Sequence, residues 1–304
     1  MRKTFSQMTL FSDILKKSLF FLLLFSKITY AIISKDSAKI IQEETIMSGK
    51  IRTFLKKYPH AWSILYFAVY IPWFIWLEHR ASLPYHVIHF PLDDYIPFCE
   101  YFVIPYFLWF VYIAAVFTWL FFRDRKNFYR YIFFLYTGMT LFLVVSTFYP
   151  NGHLLRPVEF ERDNLFIRLV CFLYWADTST NILPSIHVFN SIAAHAAVMH
   201  CWENGHSQQT AGFTGKPVVI NKWTVRCSRL LCVSIILSTM FLKQHSCVDV
   251  ILGIALAACL NQMVYESDFL VKAHDFVGKL VGDHRYLSPA FPRKIHGPAK
   301  DAEI

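Results

Sequence analysis

Lys243-Gln244-His245-Ser246-Cys247-Val248-Asp249 interrupts two long apolar runs, and the reading of those seven residues decides the fold. Apolar segments on either side each approach the roughly 20 residues needed to cross a hydrocarbon core. With a helix opening at Ser246, His245 and Asp249 lie one turn apart on a shared face. A carboxylate there accepts the Nδ1–H of the imidazole, fixes its tautomer and leaves Nε2 as nucleophile or base. Asp249 also falls in the first helical turn, where the dipole favours negative charge. A His and an Asp that merely cap a helix at the water boundary would give the same local pattern.

Working outward, five more apolar stretches repeat that length. The expected spans are Ala61–Leu77, Tyr101–Phe122, Tyr131–Phe148, Pro184–Cys201, Trp223–Leu242 and Ser246–Tyr265. Pro184 suits a helix start, where its missing donor costs nothing. The composition agrees: of 304 residues 55% are hydrophobic, 18% aromatic and only 17% charged, which is the balance of a polytopic membrane protein. The expected fold is therefore all-α, a membrane bundle of about six helices. Residues 1–46 read as an interfacial or loose extension upstream of Met47, residues 47–266 as the membrane domain, and 267–304 as a cytoplasmic tail.

The net charge of +9 does not point to nucleic acid, because Lys and Arg gather beside apolar segments. Lys50, Arg52, Lys56 and Lys57 precede the first span, and Arg123, Arg125, Lys126 and Arg130 join the second to the third. Lys216, Lys222, Arg226 and Arg229 join the fourth to the fifth, and Lys272 through Lys294 follow the sixth. Six spans with both termini cytoplasmic satisfy that bias at every loop. The seven Cys lie mostly inside apolar runs and read as small apolar residues, without a disulfide framework or zinc site.

That topology puts Tyr149–Asp177, Pro184–His187 and Lys243–Asp249 on one extracytoplasmic face. Within the first, Asn164–Trp175 has the pattern of an interfacial amphipathic helix. Together the three supply a guanidinium (Arg156), an ammonium (Lys243), a hydroxyl (Ser185), two imidazoles (His187, His245) and a carboxylate (Asp249). The set suits phosphoryl transfer, with cations on the equatorial oxygens and the two imidazoles on opposite sides of one phosphorus, one attacking and the other protonating the leaving oxygen. Backbone N–H groups around Ile186 would add to the anion site. No cluster of carboxylates suits magnesium, so a metal-independent covalent route with no cofactor is expected.

Pro184-Ser185-Ile186-His187 resembles the Pro-Ser-x-His signature of the type 2 phosphatidic acid phosphatase superfamily of lipid phosphatases. Ser238 through Asp249 is similar to that family's third motif, which ends in His-x-x-x-Asp, and Arg156-Pro157 to the end of its first. Phe148–Pro157, Pro184–Phe189 and Lys243–Asp249 look closest to the bacterial branch grouped with inositol phosphorylceramide synthases. The resemblance implies a phospholipid or lipid phosphate as substrate, with His245 forming a phosphohistidine, Asp249 orienting it and His187 as general acid. It implies phosphate binding by Arg156, Ser185 and the Ile186 amide. Tyr149 stands where the family has Lys, Thr239 where it has Arg, and Ile186 where it has Gly; Lys243 is a substitute for one missing cation. These departures leave open whether water or an alcohol takes the phosphoryl group.

Several polar residues carry a plainer expectation. His195 sits about 12 Å below His187 along the helix and is expected to make an interhelical hydrogen bond. Asn151 and Gln244 are expected to be solvated loop residues, as are Glu159, Glu161, Arg162 and Asp163. His153 divides evenly between loop residue and substrate contact. A rival function is a non-catalytic transporter or lipid-binding protein, although transporters place working ionisable groups near the midplane.

Overall fold

The computed structural model describes residues 53–80, 84–206 and 220–267, together with Gly49. The expectations for residues 1–46 and for the tail beyond Ser267 fall outside these. The chain divides into two units between Ala61 and Trp62. In the first, Thr53 Oγ1 donates to the Gly49 carbonyl at 2.8 Å. Apart from Pro59–Ala61, which open the first helical segment, everything described below lies in the second.

The described chain is mostly helical, and five helical segments are long and apolar enough to cross a membrane: Pro59–His79, Glu100–Arg123, Arg125–Phe148, Lys222–Phe241 and Cys247–Glu266. The helices within and between them are α1 (Phe67–His79), α2 (Val103–Arg123), α3 (Arg125–Phe148), α4 (Leu165–Ala176), α5 (Ile186–His206), α6 (Lys222–Phe241) and α7 (Cys247–Asn261). The first, second, fifth and sixth expected spans coincide with four of these segments to within two residues, the fourth falls on α5, which is not among the five apolar segments, and the third starts earlier than expected. There α3 begins at Arg125 instead of Tyr131, because Asp124 alone makes the turn from α2. Its Oδ1 accepts from the Asn127 N–H at 3.0 Å, which caps α3 at once and leaves the basic residues helical.

The helix α5 is as long as the others but does not share their apolar composition, and its place explains this. It packs against α2, α3, α6 and α7, and no residue from Ile186 to Trp202 is exposed. A helix surrounded by helices needs small and polar residues for close approach and hydrogen bonding, whereas the lipid-facing ones need apolar surface. Accordingly Ser191 donates to the His187 carbonyl at 2.6 Å, and His195 Nδ1 meets Ser228 Oγ at 2.9 Å, as expected of an interhelical bond. Gly138 of α3 makes room for the Phe189 ring, since a Cβ there would lie 1.9 Å from it.

At the end of the bundle where α5 and α7 begin, the connections fold over one another. Two short strands, β1 (His86–Val87) and β2 (Asn151–Gly152), pair in parallel, a feature the all-α expectation lacked. The amphipathic segment is α4, one residue displaced from the expected range, and its Val170 and Leu173 bury against Val103 and Tyr106 of α2 and Leu242. Its exposed side carries Leu165, Phe172 and Trp175.

Candidate active site

The seven residues that opened the sequence reading form a tight connection. At its start α6 ends in a Schellman turn: Lys243 N–H bonds to the Met240 carbonyl and Gln244 N–H to that of Thr239, both at 2.9 Å, with Lys243 at φ 52°. The Thr239 carbonyl also accepts the His245 N–H at 3.0 Å, so this one oxygen aims His245 back into the bundle. At the far end Ser246 caps α7, its Oγ accepting from Val248 N–H at 3.2 Å. Asp249 completes a capping box, its Oδ2 accepting from the Ser246 N–H at 3.1 Å.

The same Oδ2 lies 2.8 Å from His245 Nδ1. Helix capping and imidazole orientation, alternatives in the sequence, are thus two tasks of one carboxylate. His245 Nε2 in turn lies 3.2 Å from His187 Nδ1, and the rings sit 5.5 Å apart between centroids. With Asp249 as acceptor, Nδ1 of His245 carries its proton, Nε2 is the acceptor, and His187 donates from Nδ1. Burial and the nearby Arg156 cation push the His245 imidazolium below its ordinary range, so the ring is neutral. His187 is wedged between the Tyr106 and Trp109 rings, at 4.7 and 4.5 Å. The two imidazoles were expected to flank a phosphorus; at rest they touch each other instead.

Ser185 and Ile186 begin α5 directly beneath this pair. The Ser185 N–H bonds to the Asp249 carbonyl at 3.2 Å, and Ser185 Oγ accepts from Val188 N–H at 3.4 Å, so the expected phosphate ligand also caps its helix. The helix starts at Ile186, two residues after Pro184. Gly253 permits the approach of α7, because a Cβ at that position would stand 3.0 Å from the Ser185 carbonyl.

Arg156 reaches the cluster from the loop after β2. Its guanidinium stacks on the Tyr174 ring at 4.4 Å and donates to the carbonyls of Tyr174, Asp177 and Thr178 and to Gln244 Oε1. Burial pushes its proton affinity down from the usual arginine value. Lys243 goes elsewhere: its Nζ donates to the Asp93 carbonyl at 2.7 Å and ties down the loop between α1 and α2. The structure therefore brings His245, His187, Asp249, Ser185, Ile186 and Arg156 together, and uses the Lys243 ammonium to hold the loop between α1 and α2.

Sequence reasoning missed several contributors. Asp93 is 2% exposed and accepts from Ser246 Oγ, Cys247 N–H and Phe90 N–H at 2.6–2.8 Å. Burial opposes its charge, but those donors outweigh it and hold the carboxyl below its usual range. Asn151, expected in solvent, is buried, and its Oδ1 accepts both Ile182 and Leu183 N–H groups at 2.9 Å, fixing the approach to Ser185. Gln244 is likewise buried. His153 takes Leu155 N–H at Nδ1 (3.1 Å) and so donates from Nε2 to the Gln244 carbonyl (2.8 Å). Only the run Glu159–Asp163 stays largely solvated, with Arg162 pinned to Glu100 at 3.0 Å.

Four buried polar atoms around the imidazole pair have no hydrogen-bond partner among the described residues: Asp249 Oδ1, Arg156 Nε, Gln244 Nε2 and Trp109 Nε1. Such atoms are rare in folded proteins, and these four belong to Arg156 itself or to residues that contact it, His245 or His187, where they are unused donors and an acceptor for a polar ligand. Comparison with models of known families, with curated proteins and with solved structures returned no match. The functional reading rests on the residues themselves.

Proposed function

We propose that this is an integral membrane enzyme that cleaves or transfers a phosphoester-linked group of a lipid through a phosphohistidine on His245. The observation that carries the reading is the hydrogen-bonded series Asp249–His245–His187, at the N-terminal ends of two packed helices with Arg156 beside it. His245 Nε2 attacks phosphorus, the bond to the leaving oxygen breaks, and His187, which becomes imidazolium by taking a proton from the bound phosphate monoester, supplies that oxygen with a proton. Asp249 accepts the Nδ1–H throughout and offsets the positive charge that develops on the ring. Arg156 and the first amides of α5 hold the equatorial oxygens. The phosphoryl group enters as the two rings part, and the donors around them take over the contact they lose.

The membrane arrangement follows from counting α5 as a sixth span, packed among four of the five apolar ones. Both termini then lie on the cytoplasmic side, as the distribution of Lys and Arg favours, and the site opens at the outer face of the plasma membrane. Leu154 and Val158, in the loop that carries Arg156, and Phe172 and Trp175 of α4 are exposed apolar side chains that a lipid's chains would cover. The three sequence motifs point to the same chemistry, that of the type 2 phosphatidic acid phosphatases and the inositol phosphorylceramide synthases grouped with them.

The test is purified protein in lipid nanodiscs given phosphatidate labelled in its phosphate. Release or transfer of label is expected, with an acid-labile, base-stable label on the protein that His245→Ala removes. Turnover that survives His245→Ala would refute the assignment.

A further inference from the structure

Four acidic residues surround the imidazole pair, and three are committed. Asp249 is fully buried on the floor of the site and orients His245. Both oxygens of Asp93 accept hydrogen bonds from the start of α7. Glu78, at the end of α1, accepts from Asn181 Nδ2 at 3.0 Å with one oxygen and from Thr178 Oγ1 at 2.7 Å with the other. Asp177 differs. Its Oδ2 takes the Tyr106 hydroxyl at 3.0 Å, while its Oδ1 accepts no hydrogen bond among the described residues.

The position of that oxygen matters. His187, His245, Ser185 and Asp249 are buried, whereas Arg156, Tyr174 and Asp177 are only partly buried. Asp177 is linked to both sets. Its own carbonyl holds the Arg156 guanidinium at 2.9 Å, and the tyrosine bonded to its carboxylate is one of the two rings that clamp His187. A carboxylate oxygen with unused lone pairs, on the residue whose carbonyl holds the Arg156 guanidinium, is an acceptor close to the cation assigned to phosphate.

We propose that Asp177 binds the second substrate: its Oδ1 accepts a hydrogen bond from a hydroxyl of an alcohol or polyol, and so positions the acceptor beside Arg156. This rests on the phosphohistidine reading and extends it from an undecided acceptor to a hydroxyl compound. In the second half-reaction an acceptor oxygen–phosphorus bond forms and the phosphorus–Nε2 bond breaks, its electron pair returning to His245. The hydroxyl proton passes to His187, which gave up a proton to the leaving oxygen in the first half. Asp177 takes no proton in this sequence; it positions the attacking molecule. Burial and the neighbouring Glu78 push its carboxyl up to about 6, with Arg156 pulling the other way, so above that pH it is an anion able only to accept.

The experiment uses the full-length protein in nanodiscs, phosphate-labelled phosphatidate as donor, and inositol or glycerol as added acceptor. In Asp177→Asn, which keeps size and can keep the Tyr106 bond, the half-saturating acceptor concentration is expected to rise about tenfold or more, the cost of losing a hydrogen bond to a charged group. The acid-quenched phosphohistidine should form at a rate far less altered, and Asp177→Glu should restore part of the acceptor affinity. A label on His245 with an acceptor curve unmoved by Asp177→Asn would overturn the assignment, as would wild-type protein that passes label to water alone. A wild-type protein that never acquires a label on His245 would remove the underlying reading, and this inference with it.

Discussion

His187 Nδ1 and His245 Nε2, 58 residues apart in the chain, lie 3.2 Å from each other at the meeting of two helix N-termini. The direction of the series is set by its far end, where Asp249 can only accept when ionised. His245 must then hold its proton on Nδ1 and present a lone pair at Nε2. Asp249→Asn removes the charge that fixes this tautomer while preserving shape. Turnover of lipid phosphate is expected to fall by about 10²–10⁴-fold, the range for losing an organised acid–base group. Nitrogen NMR of labelled histidine should show the protonated and unprotonated ring nitrogens of His245 exchanging places. An unchanged tautomer with full turnover would show that Asp249 serves as a helix cap alone.

Two glycines set the spacing of that pair, and they should fail differently. At Gly253 a Cβ would meet the Ser185 carbonyl at 3.0 Å, a contact that a few tenths of an ångström of helix movement relieves. Gly253→Ala is therefore expected to push α7 off α5, reducing turnover more than stability. At Gly138 a Cβ would fall 1.9 Å from the Phe189 ring, which is walled in by α3 and α5. Gly138→Ala should cost about 1–3 kcal/mol, the usual penalty of overpacking, read as a lower melting temperature in detergent. Equal effects of the two on turnover and stability would contradict this division.

Arg156 and Lys243 looked interchangeable as phosphate ligands, and the structure separates them. Lys243→Met would lose the bond to the Asp93 carbonyl and loosen the loop between α1 and α2, with a modest loss of stability and little change in KM for the lipid phosphate. Lys243→Gly should recover stability, because residue 243 sits at φ 52° where glycine is at ease. Arg156→Lys keeps the charge but not the fork that spans three carbonyls and Gln244, and should raise KM strongly. Measured KM values for the three variants decide the matter; a larger rise for Lys243→Met than for Arg156→Lys would reverse the roles.

Why one set of residues was legible and another was not has a physical basis. Apolar length signals spans, so their places were readable to within a few residues. His245 and Asp249 were readable because i, i+4 spacing on a helix is a local relation. Asp93, Asn151 and Gln244 act across about 30 to 150 residues through hydrogen bonds to backbone N–H groups, a hydroxyl and a guanidinium, and no periodicity records such partners. The β1–β2 pair is two residues long on each side, too short to show alternation. Lys243 misled because a cation two residues from an imidazole paired with a carboxylate reads as an anion ligand, while its direction depends on a left-handed turn. The same limit hid the contact between the imidazoles: the sequence placed both at helix starts, but their separation depends on Gly253.

The buried strut His153 gives the fold a pH dependence of definite sign. Burial, with the Arg156 cation and His245 nearby, lowers its proton affinity to about 3, far under the value of about 6.5 for an exposed imidazole. As pH falls below about 6.5 the unfolded chain takes up a proton there and the folded one does not, so stability is lost progressively until the folded value is reached. At pH 5 this single residue accounts for about 2 kcal/mol relative to neutral pH. His153→Gln retains an amide that can donate to the Gln244 carbonyl and accept from Leu155 N–H, but it cannot titrate. The variant should therefore lose less stability than the wild type between pH 7.5 and pH 5, even if it is weaker at pH 7.5. Denaturation followed at both pH values gives the difference directly, and parallel losses in the two proteins would mean that His153 is protonated in the folded state.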